Sequence, residues 1–161
     1  MRRVIRVGMA DFKVCSPPNL ISTLGLGSCL GVVLYDSDKQ ICGLAHVMLP
    51  DSRRVLNIDN RMKFADTCLH DMYNEMLKRG AKKERMVAKI AGGAKMFSFE
   101  SSNEFLNIGE QNQNAVKEKI AEWSIPITAE DIGRDYSRSI TFDPANGELH
   151  IRAVGKGEYI I

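Results

Sequence analysis

Apolar and polar positions alternate over residues 4–14, the period of a half-buried strand, and the run ends at the turn-forming Ser16-Pro17-Pro18-Asn19. Two strongly apolar stretches follow. CLGVVLY (29–35) and QICGLAHVML (40–49) read as strands joined by a turn at Asp36-Ser37-Asp38-Lys39, and Pro50 stops the second. The period then changes. Between 61 and 79, Phe64, Cys68, Leu69, Met72, Tyr73, Met76 and Leu77 recur at steps of three and four, which predicts a helix with these residues on one face. Asp59 or Asn60 can cap its start and Gly80 can end it. RMVAKIA (85–91) reads as a strand running into Gly92-Gly93, and a second helix is predicted over 110–123 with Val116, Ile120 and Trp123 inward. Residues 125–132 are extended, and SITF and ELHIRAV form a closing hairpin around a turn at 143–147. Many strands adjacent in sequence, with two substantial helices, predict an α/β fold: a mixed β-sandwich core with the helices packed on the outside.

Length and composition narrow the class. The 161 residues suit one domain, 1–161, and a domain of that size buries roughly 70% of the surface its unfolded chain exposes. Twenty-two basic and twenty acidic residues leave a formal charge of +2, which argues against a dedicated nucleic-acid binder. The four cysteines form no C-x-x-C pair and no zinc spacing. MRRVIRVGMADFK is charged and has no long apolar run, so it is not a secretory signal, and no stretch approaches the roughly 20 apolar residues of a membrane span. The expectation is a cytoplasmic protein with reduced thiols, no membrane insertion, and cysteines that are either small core residues or reactive groups.

The first hairpin carries the candidate chemistry. With a turn at 36–39, Tyr35 faces Gln40 and Cys29 faces His46. Directly opposed residues share a face with Cβ atoms about 5 Å apart, so a thiol and an imidazole placed that way can share a proton. A three-residue turn would instead put them on opposite faces. Thr23, just before the cysteine, is a candidate to orient the histidine. Cys29 is approached through Leu24-Gly25-Leu26-Gly27-Ser28, where glycines let the backbone bend, and the amides of Ser28 and Cys29 are a candidate oxyanion site. Taken singly, a strand cysteine or an apolar-strand histidine is usually core. It is the pair, with its glycine-rich approach, that points to a cysteine hydrolase.

ISTLGLGSCLGVVLYD followed by GLAHVMLP resembles the signature of the bacterial chemoreceptor glutamine deamidase family, CheD. The likeness continues through KFADTCLHDMYNEMLKRGA, AGGAKMF, IGEQN, IPITAEDIG and SITFDPANGELHIR. The resemblance implies that the nucleophile, histidine and supporting threonine are Cys29, His46 and Thr23, on a fold of two β-sheets and flanking helices like that of toxin-type cysteine deamidases. It implies hydrolysis of receptor glutamine to glutamate through a thioester, with no metal or organic cofactor. It also suggests hydrolysis of glutamate methyl esters by the same site. The implied partners are the cytoplasmic helices of chemoreceptors and the chemotaxis phosphatase CheC. A non-catalytic adaptor that acts on receptors or CheC by binding is the alternative. The chain departs from the family pattern at Gln111, where arginine is frequent, and at Arg134 and Ser137, where glycines are frequent.

Other motifs are weaker. Gly25-x-Gly27-x-x-x-Gly31 has the wrong spacing for a dinucleotide site, and Gly92-Gly93-Ala94-Lys95 lacks that of a phosphate loop and reads as a turn near the site or a receptor contact. Cys42 and Cys68 read as packing, His70 as solvent-facing, and His150 as structural. RGAKKER (79–85) reads as a solvated basic run after a helix C-terminus. Glu130 and Asp131 are adjacent and would face opposite sides of a strand.

Overall fold

A computed structural model describes residues 2–56, 59–96 and 107–161. Its strands are β1 (Val4–Arg6), β2 (Asp11–Cys15), β3 (Leu20–Leu26), β4 (Leu30–Asp36), β5 (Ile41–Val47), β6 (Met86–Gly92), β7 (Ile127–Ile132), β8 (Arg138–Asp143), β9 (Glu148–Ala153) and β10 (Gly157–Ile160). The helices are α1 (Ala65–Lys78) and α2 (Ile108–Glu122). One sheet has the order β1-β3-β8-β9-β10 and the other β2-β5-β4-β6-β7. β1–β3 and β6–β7 pair in parallel, and the other named strand pairs are antiparallel.

The layers follow from burial. One core cluster lies between the two sheets and joins Ile21, Leu26, Val33, Leu44, Ile140 and Phe142. A second lies between the β4–β5 sheet and the helices and joins Val32, Leu34, Leu69, Met72, Val116 and Ile120. Strands β4 and β5 are therefore covered on both faces and buried at every position, which explains their unbroken apolar sequence. Each fully buried Leu or Val there stabilises the fold by about 1.5–3 kcal/mol relative to an exposed one. The outer sheet is half-buried, and β8 alternates buried and partly buried residues along its length. Tyr73 of α1 stacks on Trp123 at 4.3 Å and joins the helix pair. The expected mixed β-sandwich with helices outside is the observed architecture.

Several local expectations change. Residues 4–14 are two strands in different sheets, separated by a turn in which Ala10 takes a left-handed φ of 55°. Leu24-Gly25-Leu26, the start of the glycine-rich approach to Cys29, belongs to β3, and Gly157–Ile160 adds an unforeseen β10. Asn60 does accept a capping bond, but from Met62 N in a single 3-10 turn over Arg61–Lys63, and α1 begins only at Ala65. The basic run is less solvated than expected. Arg79 bonds Glu75 and the Val14 carbonyl, and Arg85 grips Asp36.

Asp36 also accounts for the main correction. It is the last residue of β4, fully buried, and pairs with Ile41. Its carboxylate accepts from Asp38 N and Lys39 N, so the turn is Ser37–Gln40, with Gln40 at φ 54°. Burial pushes this carboxyl up, but Arg85 and the Lys82 and Lys39 amides outweigh burial and hold it below the usual carboxylate range. Tyr35 accordingly faces Cys42, not Gln40, and His46 faces Gly31, not Cys29. The slip is two residues, so the alternation of faces is preserved.

Candidate active site

His46 sits near the end of β5, only 1% exposed, on the face between the sheets. Thr23 reaches it from β3 of the opposite sheet, with Oγ1 2.7 Å from His46 Nδ1. The same hydroxyl donates to the Val7 carbonyl at 2.8 Å. A hydroxyl has one proton to give, and a carbonyl can only accept it, so the Thr23 oxygen must accept from Nδ1–H. The neutral ring then carries its free lone pair on Nε2. That atom is buried and makes no hydrogen bond, to the Cys29 thiol or to any other group among the described residues. Burial holds the imidazole below its ordinary pKa, so it is neutral at pH 7.

Cys29 is the last residue of a bend, 27–29, that links β3 to β4. It is half-buried and packs against the inter-sheet cluster, the same layer that holds His46. Burial raises its thiol pKa, and a hydrogen bond from its own backbone N–H offsets this in part. Burial thus favours the uncharged form of each group, thiol and neutral imidazole. Cys15, Cys42 and Cys68 are buried.

The backbone around the bend is closely held. Cys29 O accepts from Gly93 N and Gly27 O from Ala94 N, both at 2.8 Å. Gly92 takes φ 111°, and a Cβ there would lie 2.4 Å from Cys29 O, so only glycine fits. Gly31, opposite His46, is needed for a different reason. A Cβ would meet Ile140 Cδ1 at 2.7 Å, because the sheets approach closely beside the imidazole. Strand β3 shifts register between Thr23 and Leu26, a bulge that turns the chain toward Cys29. Ser28 and Cys29 lie before the first residue of β4, so their amides are outside its ladder.

Of the predicted residues, Cys29, His46 and Thr23 occupy the inter-sheet layer at one end of the sandwich, with Ser28 in the bend. Gly92-Gly93 is the turn that braces Cys29. Phe97 of the AGGAKMF segment lies outside the described residues. Sequence reasoning missed Asn112, whose Nδ2 donates to Ser28 O and Met48 O, each at 3.0 Å. Its signal was a polar residue at the spacing of the inward stripe Val116–Ile120. A groove of about 670 Å³ lies elsewhere, on the outer face of the first sheet between Arg6, Leu24, Arg152 and Tyr159. No helix among the described residues is long and apolar enough to cross a membrane.

Residues 48–153 match the family model described as CheD chemotactic sensory transduction. A protein of Lachnoclostridium phytofermentans named "probable chemoreceptor glutamine deamidase CheD" is 52% identical over 97% of each chain. A chemoreceptor glutamine deamidase CheD of Halalkalibacterium halodurans is 50% identical over 98% of each chain. A solved structure, the Bacillus licheniformis hypothetical protein YfiH, covers 75% of this chain with 13% identity and a TM-score of 0.46, too loose a likeness to carry an argument. With half its residues shared along nearly the whole length of such relatives, the chain belongs to the CheD family.

Proposed function

We propose that this protein is a chemoreceptor glutamine deamidase, a cysteine amidohydrolase that converts glutamine to glutamate on receptor cytoplasmic helices. The names of its relatives support the substrate class. The observation that carries the chemistry is the His46 ring, held at Nδ1 and bare at Nε2, in the same layer as a half-buried thiol.

Cys29 Sγ attacks the side-chain amide carbon as His46 Nε2 takes the thiol proton. The Ser28 and Cys29 amides stabilise the oxyanion. The C–N bond breaks, and His46 gives the proton to the departing nitrogen, which leaves as ammonia. Water then opens the thioester with His46 again as base, which releases glutamate and restores the thiol. Thr23 holds the imidazole in the productive tautomer throughout. The thiol need not touch Nε2 at rest, since catalytic hydrogen bonds commonly tighten only with substrate bound. No step calls for a cofactor. The same cycle hydrolyses a glutamate methyl ester, with methanol leaving in place of ammonia.

The reaction belongs in the cytoplasm, where receptor helices are met, and each event adds a negative charge to a helix. The phosphatase CheC is the proposed regulatory partner. The test is mass spectrometry of a receptor cytoplasmic fragment after incubation with the protein. Each deamidation adds about 1 Da through exchange of NH₂ for OH, and Cys29→Ala abolishes the shift while its fold is retained. Ammonia release that survives in Cys29→Ala sinks the reading. A full signalling effect from that variant establishes a binding adaptor instead.

A further inference from the structure

Asn112 is fully buried on the stripe that α2 turns toward the β4–β5 sheet. One side-chain amide there serves two carbonyls, Ser28 O and Met48 O. Ser28 directly precedes Cys29, and Met48 follows His46 by two residues. The last rung of the β4–β5 ladder is Leu30 with Val47, so the next pair outward would be Cys29 with Met48. The strands part at that point, and the Asn112 amide bridges them.

The consequence reaches the candidate nucleophile through the peptide plane. A trans peptide unit is planar, and its C=O and N–H point in opposite directions. The Ser28 carbonyl and the Cys29 N–H belong to one such unit. Drawing Ser28 O toward α2 therefore turns the Cys29 N–H away from α2. The units on either side are held by backbone donors, Ala94 N on Gly27 O and Gly93 N on Cys29 O. The middle unit alone depends on a side chain. Asn112 Oδ1 is buried and has no partner among the described residues, so the residue is kept on an apolar stripe with half its hydrogen-bonding capacity unused there. Packing alone does not explain that. A donor required at this point does.

We propose that Asn112 is a positioning residue, which aims the Cys29 N–H at the oxygen of the scissile amide by gripping Ser28 O, and ties the histidine strand to the bend by gripping Met48 O. The proposal rests on the deamidase reading above.

The experiment compares wild type with Asn112→Ala and with Asn112→Asp, which keeps the size and exchanges the donor for an oxygen. Folding is checked by circular dichroism and thermal unfolding. For folded variants, kcat for ammonia release from the receptor fragment falls about 100-fold, as for loss of an oxyanion donor, and KM changes by less than about threefold. Alkylation of Cys29 by iodoacetamide builds no oxyanion, so its rate and pH profile stay within about threefold of wild type. A kcat within threefold of wild type overturns the proposal. Parallel collapse of kcat, KM and alkylation also overturns it and makes Asn112 merely structural. If neither variant folds, hydrogen exchange of the Asn112 side-chain amide in wild type decides. Slow exchange upholds the grip, and exchange as fast as that of exposed Asn74 overturns it. A wild type that releases no ammonia while this amide stays protected sinks the deamidase reading and leaves the grip intact.

Discussion

Strand β5 serves two cysteine sites four residues apart. At Cys42 the partner is Cys15, directly across on β2, with the sulfurs 3.7 Å apart and Cys42 wholly buried. The hydrogen bond between the two free thiols, and burial after it, drive the Cys42 pKa far upward. At His46 the neighbouring cysteine is Cys29, in a bend and half-exposed. Burial raises its thiol as well. At the Cys42 site the hydrogen bond lowers the partner thiol, Cys15, while at Cys29 only its own backbone N–H works against burial. What separates them is access and a waiting acceptor: the Cys29 end has an imidazole nitrogen with a free lone pair, and the Cys42 end has only another thiol. Proton transfer during attack, and not a resting thiolate, is the chemistry that such a contrast allows.

The strongest way to break the contrast is to remove the base at one site and the sulfur at the other. His46→Gln lowers the rate of ammonia release on the order of 10³-fold, within the span for a lost general base. Cys42→Ala leaves that rate within a few-fold and acts on stability. A cavity of one sulfur atom in the sealed layer costs about 1–2 kcal/mol, read as a lower urea midpoint. Equal rate losses in the two variants would show that the His46 end has no chemical privilege.

A smaller effect sharpens the comparison. Thr23→Val keeps the shape and removes the hydroxyl that accepts Nδ1–H and bonds Val7 O. The ring proton is then free to move to Nε2, which removes the base. A lost hydrogen bond of about 1–3 kcal/mol corresponds to a rate loss of about 5- to 150-fold. Steady-state kinetics on the receptor fragment checks it, and an unchanged kcat would mean that the tautomer is set by something other than Thr23.

Much of this end of the molecule was legible in sequence. The apolar runs of β4 and β5 and their hairpin were plain, and the expectation that Cys29 and His46 share one face rested on that hairpin. The register was not, because Asp36 looks like a turn residue and acts as a buried strand end. Its reason is Arg85, forty-nine residues away, which sequence spacing does not reveal. The β3 strand was hidden by Gly25 and Gly27, whose role in the bulge and bend depends on the opposite strand. The error in register was even, so Cys29 and His46 stayed on one face. An odd error would have separated them. Asn112 was hidden because its partners are backbone carbonyls, which carry no signal of residue type.

The smallest predicted effect concerns pH, and its sign follows from burial. His46 has its pKa held below the ordinary value of 6.5 by desolvation of the charged ring. In the unfolded chain the ring is solvated and takes a proton near pH 6.5, while the folded ring takes one only at lower pH. Between those points the unfolded state binds more protons, so stability rises with pH. The full contribution is present above pH 6.5 and is lost as pH falls toward the folded pKa, with a slope of at most about 1.4 kcal/mol per pH unit for one proton. If His46 is the base, as proposed, the acidic limb of kcat/KM lies below pH 6.5, because the bare Nε2 persists there. Urea unfolding of wild type and His46→Gln at pH 7.5 and 5 isolates this contribution. The wild type should lose more stability than the variant over that interval. Parallel losses would mean that His46 is charged or solvated in the folded protein. The imidazole would then offer no protected lone pair, and the distinction between the two ends of β5 would rest on exposure alone.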